Sequence, residues 1–174
     1  MAVLEIDQSG KWESNTHTVI GVSIGGQNEF SSLITVQNKS TARKMVLGLK
    51  GERKKSKRKM IIRMFAYTIF LTIRALVRQG DIIVIDTEYE KNDAIIRDVL
   101  IWLFRRRAGM ELDPKSIQFR PVGKESLAHK IAHSTFAYRR NPDKNIEPSE
   151  YYALLERTDE IRAKALMKRK SKNK

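Results

Sequence analysis

The chain contains no cysteine, which excludes disulfides and thiolate metal sites. It has no apolar run long enough to span a bilayer. Met60 to Val77 is mostly apolar, but Arg63 and Arg74 interrupt it and leave only Met64 to Ile73 uncharged. A spanning helix needs about 20 such residues, so this segment reads as a buried core helix and no membrane partner is expected. No secretory leader is visible, because the first residues run straight into a strand pattern, and an intracellular, cytoplasmic location is expected. There are no internal repeats. Acidic residues are missing from two segments rich in bases. Lys39 to Lys59 holds ten basic residues against Glu52 alone, and Lys164 to Lys174 holds six with no acid.

These two segments carry the whole net charge of +14, and the rest of the chain is close to neutral. Charge concentrated in this way is the footprint of a polyanion-binding protein, and nucleic acid is the expected partner. The plain alternative is that lysine-rich stretches keep the protein soluble. At 174 residues and 41% hydrophobic content, one domain with a real core is expected.

The pattern along the chain predicts β-β-β-α-β-α-β-α with one more helix at the end. Val3 to Asp7, Val19 to Ile24 and Phe30 to Val36 read as a three-stranded meander, with a turn at Gly25 to Asn28. A helix is expected from Lys57 to Arg78, stopped by Gly80. The β-branched run Asp81 to Asp86 predicts a fourth strand covered on both faces. A helix over Asp93 to Arg107 follows, with Asn92 as its N-cap and Gly109 at its end. Ser116 to Val122 predicts a fifth strand, Lys124 to Tyr138 a helix, and Pro148 the start of the last one. The expected class is α/β, a five-stranded mixed sheet in the order 3-2-1-4-5 with helices on both faces. The expected division is a domain over residues 1–140, a helical extension over 141–167 and a basic disordered tail over 168–174.

In that order the first and fourth strands are neighbours, and each ends in an aspartate, Asp7 and Asp86. Two carboxylates at one sheet edge repel unless a cation stands between them. A divalent metal pair is the known chemical solution for phosphodiester cleavage, and oxygen ligands suit magnesium or manganese.

Ile6-Asp7-Gln8-Ser9-Gly10, Ile85-Asp86-Thr87-Glu88 and the element order resemble the ribonuclease-H-like superfamily, over roughly Met1 to Tyr138. That superfamily includes ribonuclease H, Holliday-junction resolvases, Argonaute slicer domains and transposases. The resemblance implies a metal-dependent nuclease using Mg2+ or Mn2+, with Asp7 and Asp86 as metal ligands and Glu88 as an alternative or addition to Asp86. It also implies a glutamate near the first long helix, where Glu52 is the only acid. A last ligand is implied on the helix after strand five, where Glu125, His129 and His133 share a face at helical spacing, opposite Leu127, Ile131 and Tyr138. His129 is favoured there, Glu125 stands beside it, and the set would resemble the Asp-Asp-His sites of the Argonaute branch. The junction-resolvase branch implies a homodimer.

Lys50, Arg53, Lys54, Lys55, Lys57, Arg58 and Lys59, with Lys124, are the expected backbone-neutralising residues of a nucleic-acid interface. Trp12 either stacks on a base or fills a hydrophobic edge, whereas Trp102, inside a helix, reads as core. A zinc site from His17, His129 and His133 is a weaker reading, because no protease-like glutamate follows the first histidine. The competing functional class is a non-catalytic nucleic-acid-binding protein on the same fold. A ribosome-associated or assembly factor would explain the basic segments but not the aspartates.

Overall fold

Leu4 and Ile6 alternate with Glu5 and Asp7, so β1 (Val3–Ser9) sends apolar side chains to one face and carboxylates to the other. The computed structural model describes residues 1–48, 56–89 and 91–155. Within them β1 pairs antiparallel with β2 (Thr18–Ile24), which pairs antiparallel with β3 (Asn28–Ile34). β4 (Ile82–Ile85) lies parallel to β1, and β5 (Ile117–Phe119) lies parallel to β4. A two-residue β6 (Lys144–Asn145) adds parallel to β3. The mixed α/β sheet therefore has six strands in the order β5-β4-β1-β2-β3-β6, where the sequence predicts five in the order 3-2-1-4-5. The difference is β6, too short to show any alternation. Ser31 draws the chain there: its backbone N–H and hydroxyl both donate to Asp143, just before β6.

Among the described residues there are five α-helices. α4 (Leu127–Phe136) lies across β1, β2 and β3 on the face that carries Asp7. α2 (Lys57–Ile73) packs on the opposite face, where Thr72 meets Ser32, and against α3 (Asp93–Leu103). α1 (Val36–Gly48) is a helix that the sequence pattern misses. Its buried residues are Lys39, Ala42 and Val46, so a lysine occupies an inward position and breaks the apolar stripe. The basic run that begins at Lys39 is thus partly interior. A fifth helix, α5, occupies residues 148–155 of the described chain. Its Tyr151, Leu154 and Leu155 join the same core cluster as Leu4, Ile6 and Phe70. Residues 141–155, part of the extension expected over 141–167, thus add a strand to the sheet and side chains to the core; the rest of that segment and the tail over 168–174 lie outside the described residues.

Several boundaries differ from the sequence pattern, each for a local reason. β1 runs two residues past Asp7, because pairing with β2 continues to Ser9 opposite Val19. α2 stops at Ile73 rather than Arg78. The buried carboxylate of Asp81 accepts the backbone N–H groups of Arg78 and Ala2, which fixes a turn where the helix was expected to continue. α3 passes into a single π turn (Phe104–Ala108) closed by Gly109 at φ 66°. Asn92 precedes α3 without a side-chain cap bond. α4 starts at Leu127, because Ser126 caps it by accepting from Ala128 N, and it ends before Tyr138, which is exposed.

The connection over residues 10–17 is a packed loop. Trp12 is 4% exposed, a core residue rather than a free stacking platform. Its indole N–H donates to Thr68 Oγ1 at 2.9 Å. The Thr68 hydroxyl donates to Met64 O, so Tyr151, 2.7 Å away, donates to the same oxygen. Thr68→Val would leave two buried donors without an acceptor and is expected to cost about 2 kcal/mol, read from the urea midpoint. Lys39 Nζ closes the loop from the other side, donating to Lys11 O, Ser14 O and Thr18 Oγ1 at 3.0–3.1 Å. Trp102 is partly buried against the core. Among the described residues no helix is long and apolar enough to cross a membrane.

Candidate active site

Parallel pairing sets Ile6 of β1 opposite Ile85 of β4, so Asp7 and Asp86 are the next residues on adjacent strands. The Asp86 backbone N–H donates to Ile6 O at 2.9 Å, and its Oδ1 accepts the Val122 N–H at 2.6 Å. Asp86 is thereby tied to β1 and to the segment that follows β5. Asp7 is 4% exposed, and its Oδ2 has no hydrogen-bond partner. His129 Nδ1 stands 3.2 Å from that oxygen, within ion-pair range but off the line of a hydrogen bond.

Gly21 explains how His129 arrives there. It is the register partner of Asp7, and α4 lies directly on it. A Cβ at this position would lie 2.7 Å from Ala132 N and closer still to Ala128 O. Only a glycine permits this approach, and the helix turn that rests on it places His129 over Asp7. An isolated glycine in a β-branched strand is the sequence signal for such a contact.

The electrostatics record an acid cluster. Burial pushes the Asp7 carboxyl up to about 6; His129 opposes this, while Asp86 and Glu88 reinforce it. Glu88 is raised as well, by burial and then by Asp86, with Lys11 opposing and Glu13 adding to the effect. Asp86 thus disfavours charge on both Asp7 and Glu88, and a buried Asp7 oxygen has the His129 ring as its polar neighbour. That donor set fits a hard divalent cation. Among the described residues, however, no three His, Asp or Glu side chains converge at ligand distance on one point.

The other sequence candidates scatter. Glu125 precedes α4, is fully exposed and pairs with Lys130 at 2.9 Å, so it is not part of the cluster. His133 is exposed, its ring 6.1 Å from that of His129. His17 is not available to a zinc site with them: Nε2 donates to Phe136 O at 2.9 Å, and Nδ1 accepts from Tyr138 at 3.2 Å. Glu52, Lys50, Arg53, Lys54 and Lys55 lie outside the described residues, and Lys57 is the first residue of α2. Arg58, Lys59 and Lys124 are exposed.

Beside Asp86 and Glu88 opens a cleft of about 790 Å3, walled by the first turns of α2, by Lys11 and Glu13 of the 10–17 loop, and by Thr87 and Tyr89. Lys11, Glu13 and Tyr89 are not evident from the sequence pattern. Their place depends on the loop anchors, including Trp12 N donating to Tyr89 OH at 3.2 Å and that hydroxyl donating to Glu13 at 3.0 Å.

The cluster and the loop predict two opposed pH limbs in the stability of the metal-free protein. Asp7 holds its proton more tightly in the fold than in the unfolded chain, since its pKa rises from 3.8 to about 6. Its contribution is present at low pH and is lost as pH rises through that window. Burial lowers Lys39 from 10.5 to about 8, with Glu13 opposing. The unfolded chain binds the proton more tightly there, so that contribution rises with pH above 8. Urea unfolding in EDTA across this range is expected to lose the acid limb in Asp7→Asn and the alkaline limb in Lys39→Met.

No family model, curated protein or solved structure matches the chain.

Proposed function

We propose that this chain is a divalent-metal-dependent nuclease with a ribonuclease-H-like fold, hydrolysing phosphodiester bonds of nucleic acid. One observation carries the reading: the parallel pairing of β1 and β4 sets Asp7, within β1, beside Asp86, the residue after β4, with Glu88 close enough to disfavour charge on Asp7, and a buried Asp7 oxygen has His129 Nδ1 3.2 Å away as its polar neighbour. A fold that leaves a carboxylate so placed loses stability unless a cation neutralises it. Asp7 and Asp86 are the residues to hold Mg2+ or Mn2+, with Glu88 beside Asp86. A divalent ion held there supplies Lewis-acid polarisation of a phosphoryl oxygen and a more acidic water.

The chain's own groups do the rest. Val122 N–H and the pairing of β1 with β4 hold Asp86 in one orientation. His129 stands at Asp7 with its Nδ1 toward the carboxylate, placed either to complete the ligand set or to carry a proton. Arg58 and Lys11 line the cleft as partners for backbone phosphates, and Lys59 and Lys124 are exposed beyond it.

A second reading, a non-catalytic nucleic-acid-binding protein, is favoured by the lack of three converged ligands among the described residues. The two separate in one assay. Wild-type protein is incubated with labelled single strands, duplex DNA, RNA–DNA hybrid and a four-way junction, in Mg2+ or Mn2+, with an EDTA control. Cleavage that EDTA abolishes supports the nuclease and names its substrate. Binding to any of these without cleavage of any leaves the binding protein.

A further inference from the structure

The cleft beside Asp86 and Glu88 has two kinds of wall. One is cationic: Arg58, exposed on the first turn of α2, and Lys11, exposed on the 10–17 loop. The other is apolar: Ile61 of α2 and the ring of Tyr89, both partly exposed. Tyr89 is held rigidly. Its ring lies 4.7 Å from that of Phe65, and its hydroxyl is engaged by Trp12 N and Glu13. The loop that presents Lys11 is held equally firmly, because Lys39 Nζ donates to the Lys11 carbonyl at 3.1 Å.

A polynucleotide strand carries the complementary chemistry, a phosphate at each step and a flat apolar face on each base. In a duplex those faces are stacked and paired, and a side-chain wall reaches them only when the nucleotide is unpaired. A volume of about 790 Å3 suits a ligand of one or two nucleotides.

We infer that this cleft is a subsite for an unpaired nucleotide strand, in which Lys11 and Arg58 contact backbone phosphates while Tyr89 and Ile61 contact a base. The inference rests on the proposed nuclease reading for its purpose, and it deepens that reading by naming the substrate class as single-stranded or strand-end nucleic acid. Glu13, Asp86 and Glu88 give the cleft more acid than base, so the phosphates engage with a hard divalent cation present.

Fluorescence anisotropy tests it, with a labelled 12-nucleotide single strand and the matching duplex in Ca2+, over a series of salt concentrations. Strand integrity is checked on a gel after each titration. The single strand is expected to bind more tightly than the duplex. Lys11→Ala and Arg58→Ala are each expected to weaken single-strand binding several-fold and to flatten its salt dependence by about 0.7 in slope. Tyr89→Leu is expected to weaken it at least fivefold, and Tyr89→Phe, which keeps the ring, to retain it. Circular dichroism of each variant establishes that the fold survives. Equal binding of single strand and duplex, or wild-type affinity and slope in both Lys11→Ala and Arg58→Ala, would overturn the subsite. Failure of the nuclease reading is a different result: the binding pattern holds, but no substrate is cut in Mg2+ or Mn2+.

Discussion

Asp7→Asn combined with Asp86→Asn is expected to reduce metal-dependent cleavage by at least about a thousandfold, since a bound metal contributes several kcal/mol of charge stabilisation. The same change is expected to make the metal-free protein more stable. Asp7 is buried, and its charge is disfavoured by burial, then by Asp86 and Glu88, with His129 opposing. A rise from 3.8 to about 6 corresponds to at most about 3 kcal/mol lost on ionising the group at neutral pH. Asn has the same shape without the charge, so Asp7→Asn alone is expected to raise Tm in EDTA by about 3–8 °C. Loss of activity with gain of stability is the signature of a group kept for chemistry. A structural aspartate would give the opposite sign, and Asp81 provides the comparison. Its carboxylate accepts two backbone N–H groups, and Asp81→Asn is expected to lower Tm.

Gly21→Ala is expected to destabilise the protein by about 1–3 kcal/mol and to lower cleavage about a hundredfold, although Gly21 touches no substrate. A methyl group there runs into the α4 backbone at Ala128 and Ala132, and neither is a flexible side-chain end that swings aside. Relief requires α4 to lift from β2. His129 rides on α4 one residue from Ala128, so the 3.2 Å approach to Asp7 lengthens. A displacement of about 1 Å at a reacting group costs on the order of a hundredfold in rate. Gly123→Ala is the control: a Cβ there meets nothing within 4 Å, and a change within about 0.5 kcal/mol is expected. Urea midpoints and cleavage rates for the two variants check both halves.

What could be read from the sequence followed from how strongly local pattern constrains each element. Alternation in Val3 to Asp7 and the β-branched run before Asp86 are strong signals, and the two aspartates were legible because both sit at the end of such a pattern. His129 was legible as a face of a helix, but its distance from Asp7 was not, because that depends on Gly21. Glu125 was misplaced by about one turn. The Ser126 cap starts α4 later than the apolar pattern implies, and a residue before the cap follows the loop rather than the helix face. α1 was hidden by Lys39, a buried lysine whose partners are carbonyls of a loop more than twenty residues earlier. Such a partnership leaves no periodic trace. β6 was hidden for a different reason: it forms because Asp143 binds Ser31 across the sheet edge, a contact between residues more than a hundred positions apart.

The cleft shows the same division. Of its acids, Asp86 and Glu88 directly follow β4 and could be anticipated, whereas Glu13 comes from the 10–17 loop. Its cationic and aromatic walls come from a loop fixed by Trp12, Thr68 and Lys39, and from the first turns of α2, and only the folded chain brings these together. Arg58 alone among the expected basic residues lines the cleft within the described residues, while Lys59 and Lys124 are exposed beyond it.

Asp7, Asp86 and Glu88 are proposed as a divalent-cation site. Titration calorimetry with Mn2+ tests it most directly, on wild type and on the Asp7→Asn, Asp86→Asn variant, at pH 7.5 where Asp7 is ionised. Wild type is expected to bind Mn2+ saturably with a rise in Tm, and the variant to show neither effect. Equal Mn2+ binding by both proteins, or none by either, would contradict it.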